Sequence, residues 1–385
     1  MKRKLSFSFI IIIVCLALCL SGCSAAGTIW ANYREIAQLR LIQTLGVDTA
    51  PSGLRLTVST GAGAGGTSED VLSREDSSIT LAMASLQDYT TAQQLYYAQS
   101  RHIVFSEEYA AEGIGRWLDY VQSAADVRLS TTLFVLRGAS AQELMTSGTD
   151  ITECLNSVQR DADSRGDTHA FTCGETARWL ADFGAGLICA LRAESEEGSV
   201  FSEGETGLTA VPDGFGVLVD ERVADYIDAD DAVAACILTG LVGLAEIQLS
   251  GGDVVVLSRA DVSVRPQWSG GKVARVEISI DAAAVLAESA DSGGSDPEAL
   301  GALLTRELYE RASRVLALEK ELDADFLGLG ASIRADSAQK FDALTEPWLT
   351  GAELTLSVSA AVEPTDTPHS AQNTDESGAS TGLGK

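Results

Sequence analysis

Histidine is scarce in this chain, and so are basic residues. There are only three histidines, His102, His169 and His369. That scarcity counts against a hydrolase built on a nucleophile and an imidazole base. No Gly-x-Ser-x-Gly elbow, His-Glu-x-x-His pair or Walker loop is present. Lysine and arginine number 27 against 55 aspartates and glutamates, a formal net charge of -28. Such a surface repels phosphate backbones and excludes nucleic acid as a partner. It also gives no charge-driven adhesion to an anionic membrane. No Cys-x-x-Cys occurs, and no His/Cys spacing fits a usual metal-ligand set, so no metal is expected. After the first 23 residues no apolar run reaches the ~20 residues a membrane span needs.

The first 23 residues are of another kind. Lys2, Arg3 and Lys4 precede an almost wholly apolar Leu5–Leu20, and the block closes on Leu20-Ser21-Gly22-Cys23. A charged segment, an apolar core and a small-residue cleavage site form a secretory signal. Leu-Ser-Gly-Cys resembles the lipobox of bacterial lipoproteins. Cleavage between Gly22 and Cys23 then follows diacylglyceryl transfer to the thiol, and the new amine takes an acyl chain such as palmitate. Two or more chains hold a protein stably at a bilayer, since each buried methylene contributes about 0.8 kcal/mol. No cofactor is expected besides this modification. The alternatives are a retained span and plain secretion.

Of the four cysteines that remain, Cys189 and Cys236 lie in apolar runs and read as buried thiols. For Cys154 and Cys173, free thiols and a mutual bridge both stand open.

Periodicity organises the rest. Leu54–Thr60 alternates apolar and polar residues, and the Pro51-Ser52-Gly53 turn suggests a hairpin with 41–47. Gly61–Gly66 formally contains Gly-x-Gly-x-x-Gly. No apolar-striped helix follows it, so it reads as a loop and not a dinucleotide site. Helices are expected over Ile79–Tyr97 and Glu107–Ser123, strands over His102–Ser106 and Thr131–Arg137. Ser140 and Glu143 form a capping box. Ile151–Val158 and Glu175–Phe183 read as helix, and Leu187–Leu191 as helix or strand.

The acidic, Gly- and Ser-rich 194–207 suggests a domain boundary. Past it, Leu208–Val211 and Phe215–Val219 read as strands around a Pro212-Asp213-Gly214 turn, and Asp228–Leu238 as a helix. Gln267–Gly271 turns into Lys272–Ile280, a hairpin. Ser295, Pro297 and Glu298 open a long helix striped by Leu300, Leu304, Leu308, Val315, Leu318 and Leu322. Leu354–Val362 is a closing strand. The acids Asp323 and Asp325 read as a solvated face, and Gly328 and Gly330 as the left-handed cap that ends the long helix.

The blocks Arg34-Glu35-Ile36, Leu45-Gly46-Val47-Asp48, His102–Ala110 with Gly113-Ile114, the 131–138 strand, Asp213–Leu218, and Leu318–Gly330 with Trp348 stand in a definite order. In that order and spacing the chain resembles the Ger(x)C spore germination lipoproteins, the C subunits of germinant receptors. The tether from Cys23 to Trp30 is longer than that family's. The resemblance implies an α+β, multi-domain fold, with two to three small domains, each a mixed sheet packed with helices, behind a lipoprotein signal peptide. The expected division is 1–22 signal, 23–28 tether, 29–195 N-terminal domain, 196–207 linker, 208–363 C-terminal domain or domains, and 364–385 a disordered tail. It implies receptor A and B subunits as partners, the outer face of the cell membrane or spore inner membrane as location, and a scaffold rather than an enzyme. Arg34, Glu35, Gly46, Asp48, Gly113, Asp325, Gly328, Gly330 and Trp348 become structural or partner-contact residues. A solute-binding lipoprotein of a transport system is the competing reading.

Overall fold

The structure, a computed structural model, describes residues 39–60, 70–90, 93–124, 126–148, 150–195, 207–290 and 296–363. The signal, Gly22, Cys23, Arg34, Glu35, the Gly61–Gly66 loop and the tail lie outside the described residues.

The described chain begins with strands β1 (Leu39–Leu41), β2 (Thr44–Ala50), β3 (Gly53–Ser59) and β4 (Val71–Asp76), then helix α1 (Ile79–Tyr89) and strand β5 (Gln94–Tyr96). β6 (His102–Ser106), α2 (Glu107–Glu112), α3 (Gly115–Ser123) and β7 (Thr132–Arg137) follow. Next come α4 (Ala141–Thr146), α5 (Ile151–Arg165), α6 (Cys173–Phe183), β8 (Ala185–Ser195), β9 (Leu208–Val219) and β10 (Arg222–Ile227). These strands, β1 and β5 apart, make one eight-stranded mixed sheet in the order β10-β9-β8-β7-β6-β2-β3-β4. β2, β6, β7 and β8 are mutually parallel.

That parallel centre explains its sequence. Parallel strands are covered on both faces, so they read as unbroken apolar runs. Successive side chains alternate sides. Ile103, Phe105, Leu133 and Val135 meet Leu86 of α1 and Trp117 and Leu118 of α3. Val104, Phe134 and Leu136 face the other way, against Leu144 and Met145 of α4 and Leu155 of α5.

The chain continues through α7 (Ala229–Thr239), β11 (Glu246–Gln248), β12 (Val254–Ser269), β13 (Lys272–Glu288), α8 (Pro297–Leu322), α9 (Leu329–Asp336), α10 (Ala338–Phe341) and β14 (Glu353–Glu363). The second sheet has the order β11-β12-β13-β14. β12 and β13 form the expected hairpin, now running almost the full length of both strands, and β14 adds in parallel. α8 starts at Asp296, whose side chain caps the Glu298 amide, with Pro297 in its first turn. Its stripe of Leu304, Leu308, Ala312 and Val315 joins Val276, Ile278 and Ile280 in a core that also takes in α7 and Phe215 of the first sheet.

Several expectations need correction. The 196–207 break does not separate the sheets: β8 and β9 pair antiparallel on either side of it, and the first sheet runs on to Ile227. Pro212-Asp213-Gly214 is no turn. β9 runs through it, and the proline pairs with Leu191 at a register shift whose other side is Cys189 paired with Phe215, where the ladder is irregular. The helix expected over 107–123 breaks at Gly113, whose φ of 132° closes α2. The helix expected over 79–97 ends at Tyr89, and Gln94–Tyr96 pairs with β1 instead. Leu187–Leu191, open between helix and strand, is strand.

Candidate functional site

Five of the residues singled out in the sequence, Gly46, Asp48, Asp325, Gly330 and Trp348, gather at two buried clamps. The first locks α4 onto β2. Gly46 sits where a Cβ would lie 2.6 Å from Met145 Sδ and 2.9 Å from Ala141 Cβ, so only hydrogen lets the helix approach so closely. Two residues on, on the same side of the strand, Asp48 receives the first amides of α4: Ala141 N–H at 2.7 Å and Gln142 N–H at 3.0 Å. A carboxylate at a helix N-terminus satisfies otherwise orphaned donors. The Asp48 carboxyl is pushed up by burial, with those two amides pulling it back. The expected Ser140–Glu143 capping box forms on the same helix. Gly113 takes its positive φ beside Arg222 and Glu221, on the opposite face of the sheet.

The second clamp is built on Asp325. Rather than a solvated acid, it is almost fully buried, at 9% exposure. Its Oδ1 accepts the Leu329 amide at 2.8 Å, and its Oδ2 accepts the Gly330 amide at 2.8 Å and the Trp348 indole N–H at 2.9 Å. One carboxylate thus fixes the first turn of α9 and the loop before β14. Gly330 is small because a Cβ there would meet Asp325 Oδ2 at 2.4 Å and Trp348 Nε1 at 2.9 Å.

The glycines do not end α8. Its left-handed cap is Asp323, φ 47°, whose side chain accepts from Thr350 Oγ1 at 3.0 Å. Aspartate is one of the few residues besides glycine that visits this conformation, and here Thr350 holds its side chain. Gly328, φ 71°, instead precedes α9, packed beneath Trp179 and Phe183 of α6.

Glu319 completes this clamp and was missed. It is fully buried, accepts the Leu327 amide through Oε1 at 3.3 Å, and lies beside the Asp325 carboxyl. Burial first, and the neighbouring Asp325 second, push its carboxyl well above the usual carboxylate range. Burial also raises Asp325, against the pull of the Trp348 indole and two amides. Glu319 therefore holds the proton of the pair. The signal was present: Leu308, Ala312, Val315 and Glu319 fall at helical spacing on one face of α8.

A polar crevice lies elsewhere, at the carboxyl ends of β6 and β7. Arg137 bonds Asp213 at 2.7 Å, approaches Asp228 at 3.7 Å, and lies 4.4 Å over the Tyr226 ring. Arg192 reaches Asp213 at 3.8 Å. The charges largely satisfy one another and tie β7, β8, β9 and the start of α7 together.

His102 stands in β6 with Nε2 3.1 Å from Asn156 Oδ1 and its ring against Phe134. Burial lowers its pKa from 6.5 to about 4, which keeps it neutral. Cys154, Cys173, Cys189 and Cys236 are all free, so the Cys154–Cys173 bridge is not formed; Cys154 instead contacts Thr209 and the Ala210 carbonyl. Burial pushes the Cys173 and Cys189 thiols up to about 12. Among the described residues no group of three or more His, Cys, Asp or Glu is placed to hold a metal ion. No helix among them is long and apolar enough to cross a membrane.

The clamps, the mixed sheets and the shared core describe a multi-domain α+β protein held together by buried carboxylates. Residues 32–153 match the family described as the spore germination protein N-terminal domain. A crystal structure of the GerBC protein aligns with 83% of this chain and 96% of its own, at 15% sequence identity and a TM-score of 0.54. No curated protein sequence matches the chain. The fold is thus similar to that of GerBC, and residues 32–153 carry a spore germination protein N-terminal domain.

Proposed function

We propose that this protein is the lipid-anchored C subunit of a nutrient-germinant receptor, a non-catalytic scaffold required for spore germination. Cys23 carries the diacylglyceryl and acyl chains. They hold a strongly acidic protein at the outer face of the spore inner membrane, beside receptor A and B subunits. The observation that carries this reading is the spore germination domain over residues 32–153, continued by a GerBC-like fold across most of the chain. The chemistry of the described residues agrees with it. Buried carboxylates receive backbone amides and an indole, and the Cys173 and Cys189 thiols are buried and protonated, which is the chemistry of a rigid frame.

The test is affinity purification of the tagged full-length protein from spore membranes. Polytopic receptor subunits are expected in the eluate; recovery without any of them contradicts the assignment.

A further inference from the structure

We infer that one end of the eight-stranded sheet, carrying Leu41, Tyr89, Tyr96 and Leu129, is the face that rests on the lipid bilayer. This rests on the anchoring at Cys23 proposed above and adds to it an orientation.

The large apolar side chains that reach solvent are Leu41, Leu81, Tyr89, Tyr96, Leu129, Leu244 and Tyr309 among the described residues. Four of them lie at a single end. β2, β6 and β7 are parallel and begin at Thr44, His102 and Thr132, so their amino ends share one edge of the fold. β1 and β5 sit at that edge, with Leu41 directly paired to Tyr96. β4 runs alongside β2 in direction, so α1, which follows it, returns to the same end and finishes on Tyr89. Gln87 of α1 ties that helix end to Gln93 and Leu95. Leu129 stands in the turn that leads into β7, three residues before its first residue. Tyr89 is 64% exposed and Leu129 50%. Scattered single apolar residues need no explanation, but a concentration at one end does.

Two further observations select lipid as the occupant. The first is where the chain enters. The described part begins at Leu39, in β1, at this same end. Fifteen residues separate Cys23 from Leu39, a reach of at most about 58 Å even fully extended. The second is charge. The molecule has about twice as many acids as bases. Yet the segments bearing these four side chains are evenly balanced at this end, with Arg40 and Arg128 beside Asp88 and Asp126. Arg40 pairs with Asp70, and Arg74 lies 4.2 Å over the Tyr89 ring. An anionic lipid surface does not repel this end as it would the rest. Tyrosine, with an apolar ring and a polar tip, suits the headgroup level. The Arg137–Asp213 crevice, at the opposite end of the same strands, then faces away from the membrane.

The experiment uses the full-length lipidated protein in vesicles of phosphatidylglycerol and phosphatidylethanolamine, in a Cys154→Ser background. Nitroxide labels are placed at Tyr89→Cys and Leu129→Cys, with Leu244→Cys and Tyr309→Cys as references, and each variant is checked for cooperative unfolding. Relaxation by lipid-dissolved oxygen is compared with relaxation by an aqueous nickel chelate. The inference predicts that oxygen dominates at 89 and 129 and nickel at 244 and 309. Nickel dominating at all four sites in protein that floats with the vesicles overturns the orientation and leaves the anchor standing. Protein that does not float at all overturns the anchor and the orientation with it. Labels at 89 and 129 that are shielded only in native membranes, and aqueous in pure lipid, assign this end to a protein partner and overturn the inference.

Discussion

The carboxylate of Asp325 receives the indole N–H of Trp348 at 2.9 Å across 23 residues of chain. The same oxygen also holds the Gly330 amide, so one buried group joins the start of α9 to the approach of the last strand. Replacing it removes the shared acceptor and leaves three donors buried. Asp325→Ala is expected to cost about 4 kcal/mol, as when one partner of a buried charged contact is deleted. Trp348→Phe removes one donor only and is expected to cost about 1 kcal/mol from that bond. Urea denaturation followed by circular dichroism measures both. Equal losses in the two variants contradict the hub role given to Asp325.

Glu319 supplies a pH dependence whose sign can be worked out. Its folded pKa lies well above the ordinary 4.5, because the charged form is buried beside Asp325. The unfolded chain therefore releases this proton first as pH rises. Stability contributed at this site is full below about 4.5 and declines as pH rises toward the folded pKa. Glu319→Gln keeps the shape without the charge. Its unfolding free energy is expected to decline less between pH 5 and 9 than that of the parent, and to match or exceed it at pH 8. A parallel decline in both proteins contradicts the assignment.

His102 has the opposite slope. Its imidazole titrates near 4 when folded and 6.5 when unfolded, since burial disfavours the cation. Stability at this site is full above pH 6.5 and is lost as pH falls toward 4, by about 3 kcal/mol in all. His102→Gln is expected to flatten the acid side of the stability profile. Between pH 4.5 and 6.5 the two sites pull in opposite directions, so single variants are needed to see each. An imidazole proton titration by NMR with a midpoint above 6 contradicts the burial argument.

At the first clamp the prediction concerns volume. Gly46→Ala drives a methyl group against Met145 Sδ and Ala141 Cβ. Met145 can yield at its flexible end, but Ala141 lies on the backbone of α4 and cannot. The expected cost is about 2 kcal/mol, in the range for overpacked cores. Thermal unfolding measures it; an unchanged midpoint contradicts the close approach of α4 to β2.

Much of this fold is legible in the sequence where local pattern and tertiary demand agree. The β2–β3 and β12–β13 hairpins, the Ser140–Glu143 box and the α8 stripe belong to that class. What was hidden depends on partners far away in sequence. The β8–β9 pairing spans a Gly- and Ser-rich acidic break, and no local signal tells a hairpin connection from a linker. Pro212 looks like a turn because its fit depends on the register shift in the β8–β9 pairing. Asp325 looks like one of many surface acids until Trp348 and the α9 amides are placed around it. Gly328 and Gly330 read locally as a helix cap, whereas in the fold they make room for Trp179 and Trp348. Gly46 and Asp48 were identified only by family resemblance; their roles required the position of α4.

The account turns on the anchor at Cys23. The most direct measurement is mass spectrometry of the mature N-terminal peptide of protein extracted from spore membranes. The account predicts a chain that begins at Cys23 and carries diacylglyceryl on its sulfur. An unmodified N-terminal peptide, or one that still contains the Leu5–Leu20 run, contradicts it.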